Sequence, residues 1–313
     1  MDKALLVVSA LLISAALGGR WSFIWSYLES KNIPDPWQLA KKLLRDTERK
    51  LNRPTLKPSE QNFRGTMLTM FTLAASLVVG LIFNIIPSHF ILILILLILS
   101  LPAGSSWHKA NAIKKQLQIA NLPAARAQLD KTPFLYHAVM DAGSLARSAI
   151  EYLAVQFSEN ILSPIFWFML LGVPGLFASL TINILQEILS GPDNKPFGKT
   201  ARDMQVFVNY IPARISAFLW VLSVYFLPSG SGNGYALANK ISKDMPSASP
   251  HHLALLCSAN GLNLTLGGRT SPYVSDKWVG NGRIEAGTAD ITRAQFIFTI
   301  QCLFIFVGLG FFI

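Results

Sequence analysis

Charge is what this sequence has least of. Asp, Glu, Lys and Arg make up 14% of its 313 residues, against about 25% in an ordinary soluble domain. Lipid cannot solvate charge, so the shortfall excludes a wholly soluble chain and points to a membrane body. Cysteine is nearly missing as well. The two present, Cys257 and Cys302, are far apart and lack CxxC spacing, which excludes a disulfide framework and a zinc site of that kind. The five histidines include no His-Glu-x-x-His motif. Only His251 and His252 are adjacent, and by themselves they read as polar loop surface. Acidic residues are outnumbered 17 to 27, for a net charge of +10. No nucleic-acid recognition motif accompanies that excess. The basic residues flank apolar runs, so membrane topology explains them and no nucleic-acid partner is expected.

Long apolar runs are what the sequence does have. The expected fold is an all-α polytopic integral membrane protein, a single membrane domain over 1–313. It has about six transmembrane helices, near 4–19, 66–86, 88–103, 161–186, 206–228 and 295–313. The first run, Ala4 to Gly18, also fits a signal peptide; a retained helix is the preferred reading, because the rest of the chain is polytopic. Met67 to Leu101 far exceeds the ~20 residues of one crossing, and Asn84 with Pro87-Ser-His89 divides it into a hairpin. Gly172-Val-Pro-Gly175 interrupts the fourth run. That segment crosses once with a kink or enters and returns, since broken helices are tolerated where they line a protein cavity.

Lys and Arg orient the spans. Segments 20–65, 104–160 and 229–294 hold ten, six and six of them, 22 of the 27. With six spans these segments share one side, so the positive-inside rule makes them the cytoplasmic loops of a multi-pass protein of the cell membrane. Segments 34–53 and 107–131 read as amphipathic helices, the first suited to lie on the bilayer surface.

Few residues are placed for chemistry. Arg214 sits in an apolar run, two residues after Pro212. An arginine there costs several kcal/mol unless it snorkels or meets an anion, and a kinked helix with an inward arginine forms an anion site. Glu151, Glu159 and Glu187 bracket the fourth run, with Asn160, Asn183 and Asn209 nearby. Carboxylates and amides facing a cavity suit Mg2+ carrying a nucleotide phosphate; the same residues also end helices at a water boundary. Ser229-Gly-Ser-Gly-Asn-Gly234 lacks the Gly-Lys-Ser/Thr ending of a phosphate loop and reads as a linker.

Read in order, motifs along most of the chain resemble the CobD/CbiB family of cobalamin biosynthesis. They are Glu48-Arg-Lys-Leu-Asn-Arg53, Phe63-Arg-Gly65, Ala124-Ala-Arg126, Arg147-Ser-Ala-Ile-Glu151 and Ser163-Pro-Ile-Phe166. Asn183, Phe197-Gly198, Asn209-Tyr-Ile-Pro-Ala-Arg214, Ser249-Pro250, Leu266-Gly-Gly268 and Thr288-Ala-Asp-Ile-Thr-Arg293 follow. The Asn209 to Arg214 stretch is the most specific. The resemblance implies an ATP- and Mg2+-dependent amide ligase, an adenosylcobinamide-phosphate synthase. Such a ligase joins a corrinoid propionate to aminopropanol or its phosphate. By the same resemblance Glu151, Glu187 and Arg214 would be catalytic. Arg147, Asn183, Asn209, Ser249, Gly267 and Gly268 would bind substrate, and Glu187 with Glu159 would hold Mg2+. Expected partners are the corrinoid, the bilayer, and further copies of the chain or other cobalamin-pathway proteins.

The chain also departs from that pattern, mostly at acidic places. An Asp of the family stands as Glu159, and its Glu-Asn as Val155-Gln156. Its Asp-Ser-Met is Gln186-Glu187-Ile188, its Asp-Asp is Gln205-Val206, and its Ser-Pro-Asn is Ser249-Pro250-His251. Its Arg-Asp-Thr falls on Leu135-Tyr136-His137. The alternative implied function is a non-catalytic paralogue that binds a corrinoid or a protein partner, as AmpE, a regulatory membrane protein of the same superfamily, is non-catalytic.

Overall fold

The computed structural model describes residues 3–18, 36–53, 55–85, 90–129, 140–189, 196–227, 237, 239, 241, 248–274 and 277–311. The expectations placed on Leu135-Tyr136-His137 and on the 229–234 linker lie outside them. The described fold is helical. Its helices are α1 (Lys3–Leu17), α2 (Pro36–Leu51), α3 (Pro58–Ile85), α4 (Phe90–Ser100), α5 (Ala103–Gln118) and α6 (Leu122–Ala127). Next come α7 (Ala142–Val155), a π-helical segment (Gln156–Leu162), α8 (Ser163–Leu171), α9 (Val173–Leu189) and α10 (Lys199–Val224). The chain closes with α11 (Pro250–Leu262) and α12 (Thr288–Gly310). One small antiparallel ladder interrupts the helices: β1 (Leu266–Gly267) pairs with β2 (Trp278–Val279), Leu266 opposite Val279.

Among the described residues, five helical stretches are long and apolar enough to cross a membrane: Pro58–Phe83, Phe90–Gln118, Ala142–Leu171, Lys199–Val224 and Thr288–Gly310. Two apolar helices, Lys3–Leu17 and Val173–Leu189, are shorter. The six-span expectation is therefore redistributed. The run at 88–103 extends through α5, and the run at 161–186 divides at Gly172 into α8 and α9. Gly172 adopts φ +72°, a left-handed value that ends a helix cheaply only at glycine. The stretch 104–160 supplies α5 and α7, whose buried faces join the main core.

Packing sorts the helices by depth. α1 buries Ala4, Leu6, Val7, Ala10, Leu11 and Ser14, against α4, α5 and α12, and so is part of the core. Small residues permit this: a Cβ at Gly104 would stand 2.4 Å from the Ser14 carbonyl oxygen. Only 17% of the apolar window of Pro58–Phe83 is buried, against 67% for Ala142–Leu171. Exposed Phe71, Ile91, Phe207 and Phe218 give the outer helices the apolar surface that lipid requires. The α7–π–α8 stretch is the central column, and its polar groups must find partners inside the protein.

Candidate functional site

A cleft of about 270 Å³ opens beside the central column. Its walls come from seven places in the chain: Lys41 of α2, the α4–α5 joint, Lys109 of α5, the α7–π junction, one face of α9, His251 of α11, and Tyr273 of the loop between β1 and β2. Glu159, Asn160, Asn183, Gln186 and Glu187 all line it. The fold thus gathers several of the residues that the sequence singled out around one cleft.

The π-turn explains how Glu159 is presented. Pro164 has no N–H, and the Ser163 N–H is given to the carbonyl of Ser158, five residues back. The Glu159 carbonyl consequently has no partner in its own helix, and Asn183 Nδ2 donates to it at 2.6 Å. Asn183 Oδ1 accepts from Asn209 Nδ2 at 2.9 Å. Asn183 and Asn209, expected at the substrate, are thus engaged in tying α9 and α10 to the π-turn. Such turns recur where a helix carries function.

Glu159 is only 5% exposed. Its Oε1 accepts from Gln205 Nε2 at 2.8 Å and lies 2.9 Å from His251 Nε2. Burial disfavours charge on the His251 ring, but the adjacent Glu159 carboxylate more than offsets this and raises its pKa above the ordinary imidazole value. The Tyr273 ring lies beside it, 5.4 Å between centroids and tilted by 54°. Burial first, then the neighbouring Tyr152 and the surrounding carboxylates, holds its phenol well above the usual value, so it is a neutral hydroxyl.

The other end of the cleft is wetter. Lys41 Nζ meets both oxygens of Glu187, at 3.0 and 2.7 Å, and each side chain is 30% exposed. Lys109 reaches over the Tyr152 ring, 5.1 Å from its centroid. The cleft therefore carries cationic and anionic groups side by side.

Other expected site residues lie apart from the cleft lining. Glu151 is buried under the small ladder and accepts from the Gly267 N–H at 2.7 Å. A glycine is needed there: Gly267 has φ +91°, and a Cβ would stand 2.3 Å from the Lys277 carbonyl oxygen. Gly268 packs against the Trp278 ring. Arg147 donates to the Ile284 carbonyl at 2.7 Å and faces Trp278. Ser249 caps α11 by accepting from the His252 N–H. Arg214 turns back onto its own helix, donating to the Tyr210 carbonyl at 2.8 Å and lying 3.3 Å from the Tyr210 ring centroid. Exposed Tyr210 marks this as the outer face of α10, where a snorkelling arginine belongs.

Sequence reasoning left out Lys41 and Tyr273, and placed Gln205 and His251 only among the departures from the family pattern. The reading of His251 as polar loop surface is corrected: it lies in the first turn of α11, half-buried against Glu159. The usable signal was Ser249-Pro250, an N-cap followed by proline at N1, which starts a helix there. Nothing local in the sequence indicates the carboxylate across from it.

The donor set as folded does not fit Mg2+, which takes near-octahedral oxygen ligands. Glu159 Oε1 faces two nitrogens, and both Glu187 oxygens face one. Among the described residues no group of three or more His, Cys, Asp or Glu side chains is placed to hold a metal.

Comparison with known proteins agrees with this architecture. The family model described as CobD/Cbib protein matches residues 7–298. The cobalamin biosynthesis protein CobD of Brucella suis biovar 1 is 28% identical over 230 residues, 71% of this chain and 69% of the relative. That of Rhodobacter capsulatus is 28% identical over 229 residues, 71% and 70% of the two chains. The probable cobalamin biosynthesis protein CobD of Thermoplasma acidophilum is 31% identical over 108 residues, 34% of this chain and 36% of the relative. No solved structure matches. A match across nearly the whole chain, on a helical membrane body, makes this protein a member of the CobD/CbiB family of cobalamin biosynthesis.

Proposed function

We propose that this protein takes part in cobalamin biosynthesis at the cell membrane, its basic segments facing the cytoplasm. There it would join a corrinoid propionate to aminopropanol or its phosphate, with Mg-ATP as co-substrate. The observation that carries this reading is the mixed charge of the cleft, where Lys41 and Lys109 stand beside Glu187 and Glu159. An amine that also bears a phosphate needs an anion to hold one end and a cation for the other. Lys41 and Glu187 are exposed enough to exchange each other for a ligand, since such ion pairs contribute only about 0–1 kcal/mol. The buried Glu159 group fixes the opposite wall, and a wall held that firmly can orient a reacting amine against a carboxyl.

A second reading is favoured by a separate observation. Both cleft carboxylates already have protein nitrogens as partners, which suits a paralogue that binds a corrinoid without transforming it.

Turnover separates the two. Purified protein in detergent receives adenosylcobyric acid, aminopropanol phosphate and Mg-ATP, with an active relative as positive control. The first reading expects product, lost or strongly reduced in Glu187→Gln. Corrinoid binding without product would transfer the assignment to the second.

A further inference from the structure

Glu159, Gln205 and His251 lie up to 92 positions apart in the chain. They meet at one atom. Glu159 Oε1 takes Gln205 Nε2 at 2.8 Å and has His251 Nε2 at 2.9 Å. Here the Glu159 carboxylate faces the amide of Gln205 and the imidazole of His251. The physical contrast is direct. Two buried carboxylates facing each other need a cation or a shared proton between them. One carboxylate facing an amide and an imidazole needs neither, because its partners are N–H donors of the protein.

Two further groups beside it are also engaged. Asn183 Oδ1 accepts from Asn209, and Glu187 is held by Lys41. A cation approaching Glu159 Oε1 would meet N–H groups where it needs lone pairs.

We propose that the cleft holds no resident divalent cation at Glu159, because Gln205 and His251 occupy the place such an ion would take. Ligand binding then requires only the Mg2+ that a ligand brings on its own phosphates. The inference rests on the cleft being the ligand site. Its test reads metal directly, so a failed turnover assay and a failed metal result remain distinct.

The probe is Mn2+, titrated into the full-length protein in detergent and followed by electron paramagnetic resonance. The wild type is expected to show no Mn2+ site that Glu159→Gln removes. Gln205→Asp with His251→Asn is expected to gain one, its affinity rising at least about tenfold over the wild type. Adding Glu159→Gln in that background should abolish it. A wild-type site lost in Glu159→Gln overturns the proposal, and so does a folded double variant with no gain. Should a variant not fold, wild-type unfolding decides alone. An unfolding temperature unmoved by Mg2+ supports the proposal, and stabilisation by Mg2+ contradicts it.

Discussion

Glu159 and Glu187 face the same cleft from different depths. The first is buried, on a π-turn of the central column, and held from α10 and α11. The second is at the rim, on α9, and held by one lysine of an amphipathic helix. The same functional group thus does opposite work. A buried carboxylate whose partners are fixed is a structural member that sets the shape of a wall. A carboxylate at the rim with a flexible partner can release it and take another. The difference teaches that exchange with a ligand belongs at the Lys41–Glu187 end and rigidity at the Glu159 end.

The contrast can be broken most severely at the buried end. His251→Ala leaves a carboxylate in the interior with only Gln205 as donor, and losing one partner of a buried pair costs about 3–5 kcal/mol. Denaturant unfolding in detergent should register that loss. A cost no larger than a surface substitution would show that the buried end is not held by His251.

Asn183→Ala comes next. It strips the donor from the orphaned Glu159 carbonyl and the acceptor from Asn209, and each unsatisfied buried group costs about 1–3 kcal/mol. The same unfolding measurement checks it. Hydrogen exchange should loosen in the π-turn in particular; unchanged protection there would mean that Asn183 does not secure it.

The smallest stability effect is expected at the rim. Lys41→Met and Glu187→Gln should each change stability by no more than about 1 kcal/mol, yet each should weaken ligand binding. A double-mutant cycle on unfolding should give a small coupling. A coupling as large as that of the buried pair would erase the distinction between the two ends.

These differences were unequally legible in the sequence. Spans such as 66–86 and 295–313 could be seen because apolar runs declare themselves, and they reappear as parts of α3 and α12. The helix at 34–53 showed in its basic and apolar alternation and is described over Pro36–Leu51. The division at Gly172 was visible as an interruption. The π-turn was not, because it depends on where Ser163 and Asn183 send their N–H groups, and Pro164 alone only hints at it. Glu159, Asn183 and Glu187 were selected as polar residues beside an apolar run, and they do converge. His251 and Gln205 were not, because their meaning lies in a contact made across long stretches of chain. Arg214 drew attention through its cost in lipid, a cost removed locally by Tyr210 and the outer face of α10.

The most direct test of the cleft as the ligand site is equilibrium binding of aminopropanol phosphate to the purified protein, compared among wild type, Lys41→Met, Glu187→Gln and Arg214→Ala. The account predicts that affinity falls most in the two rim variants and least in Arg214→Ala, whose side chain lies on the outer face of α10. Affinity that collapses in Arg214→Ala and is kept in both rim variants would contradict it and move the site to α10.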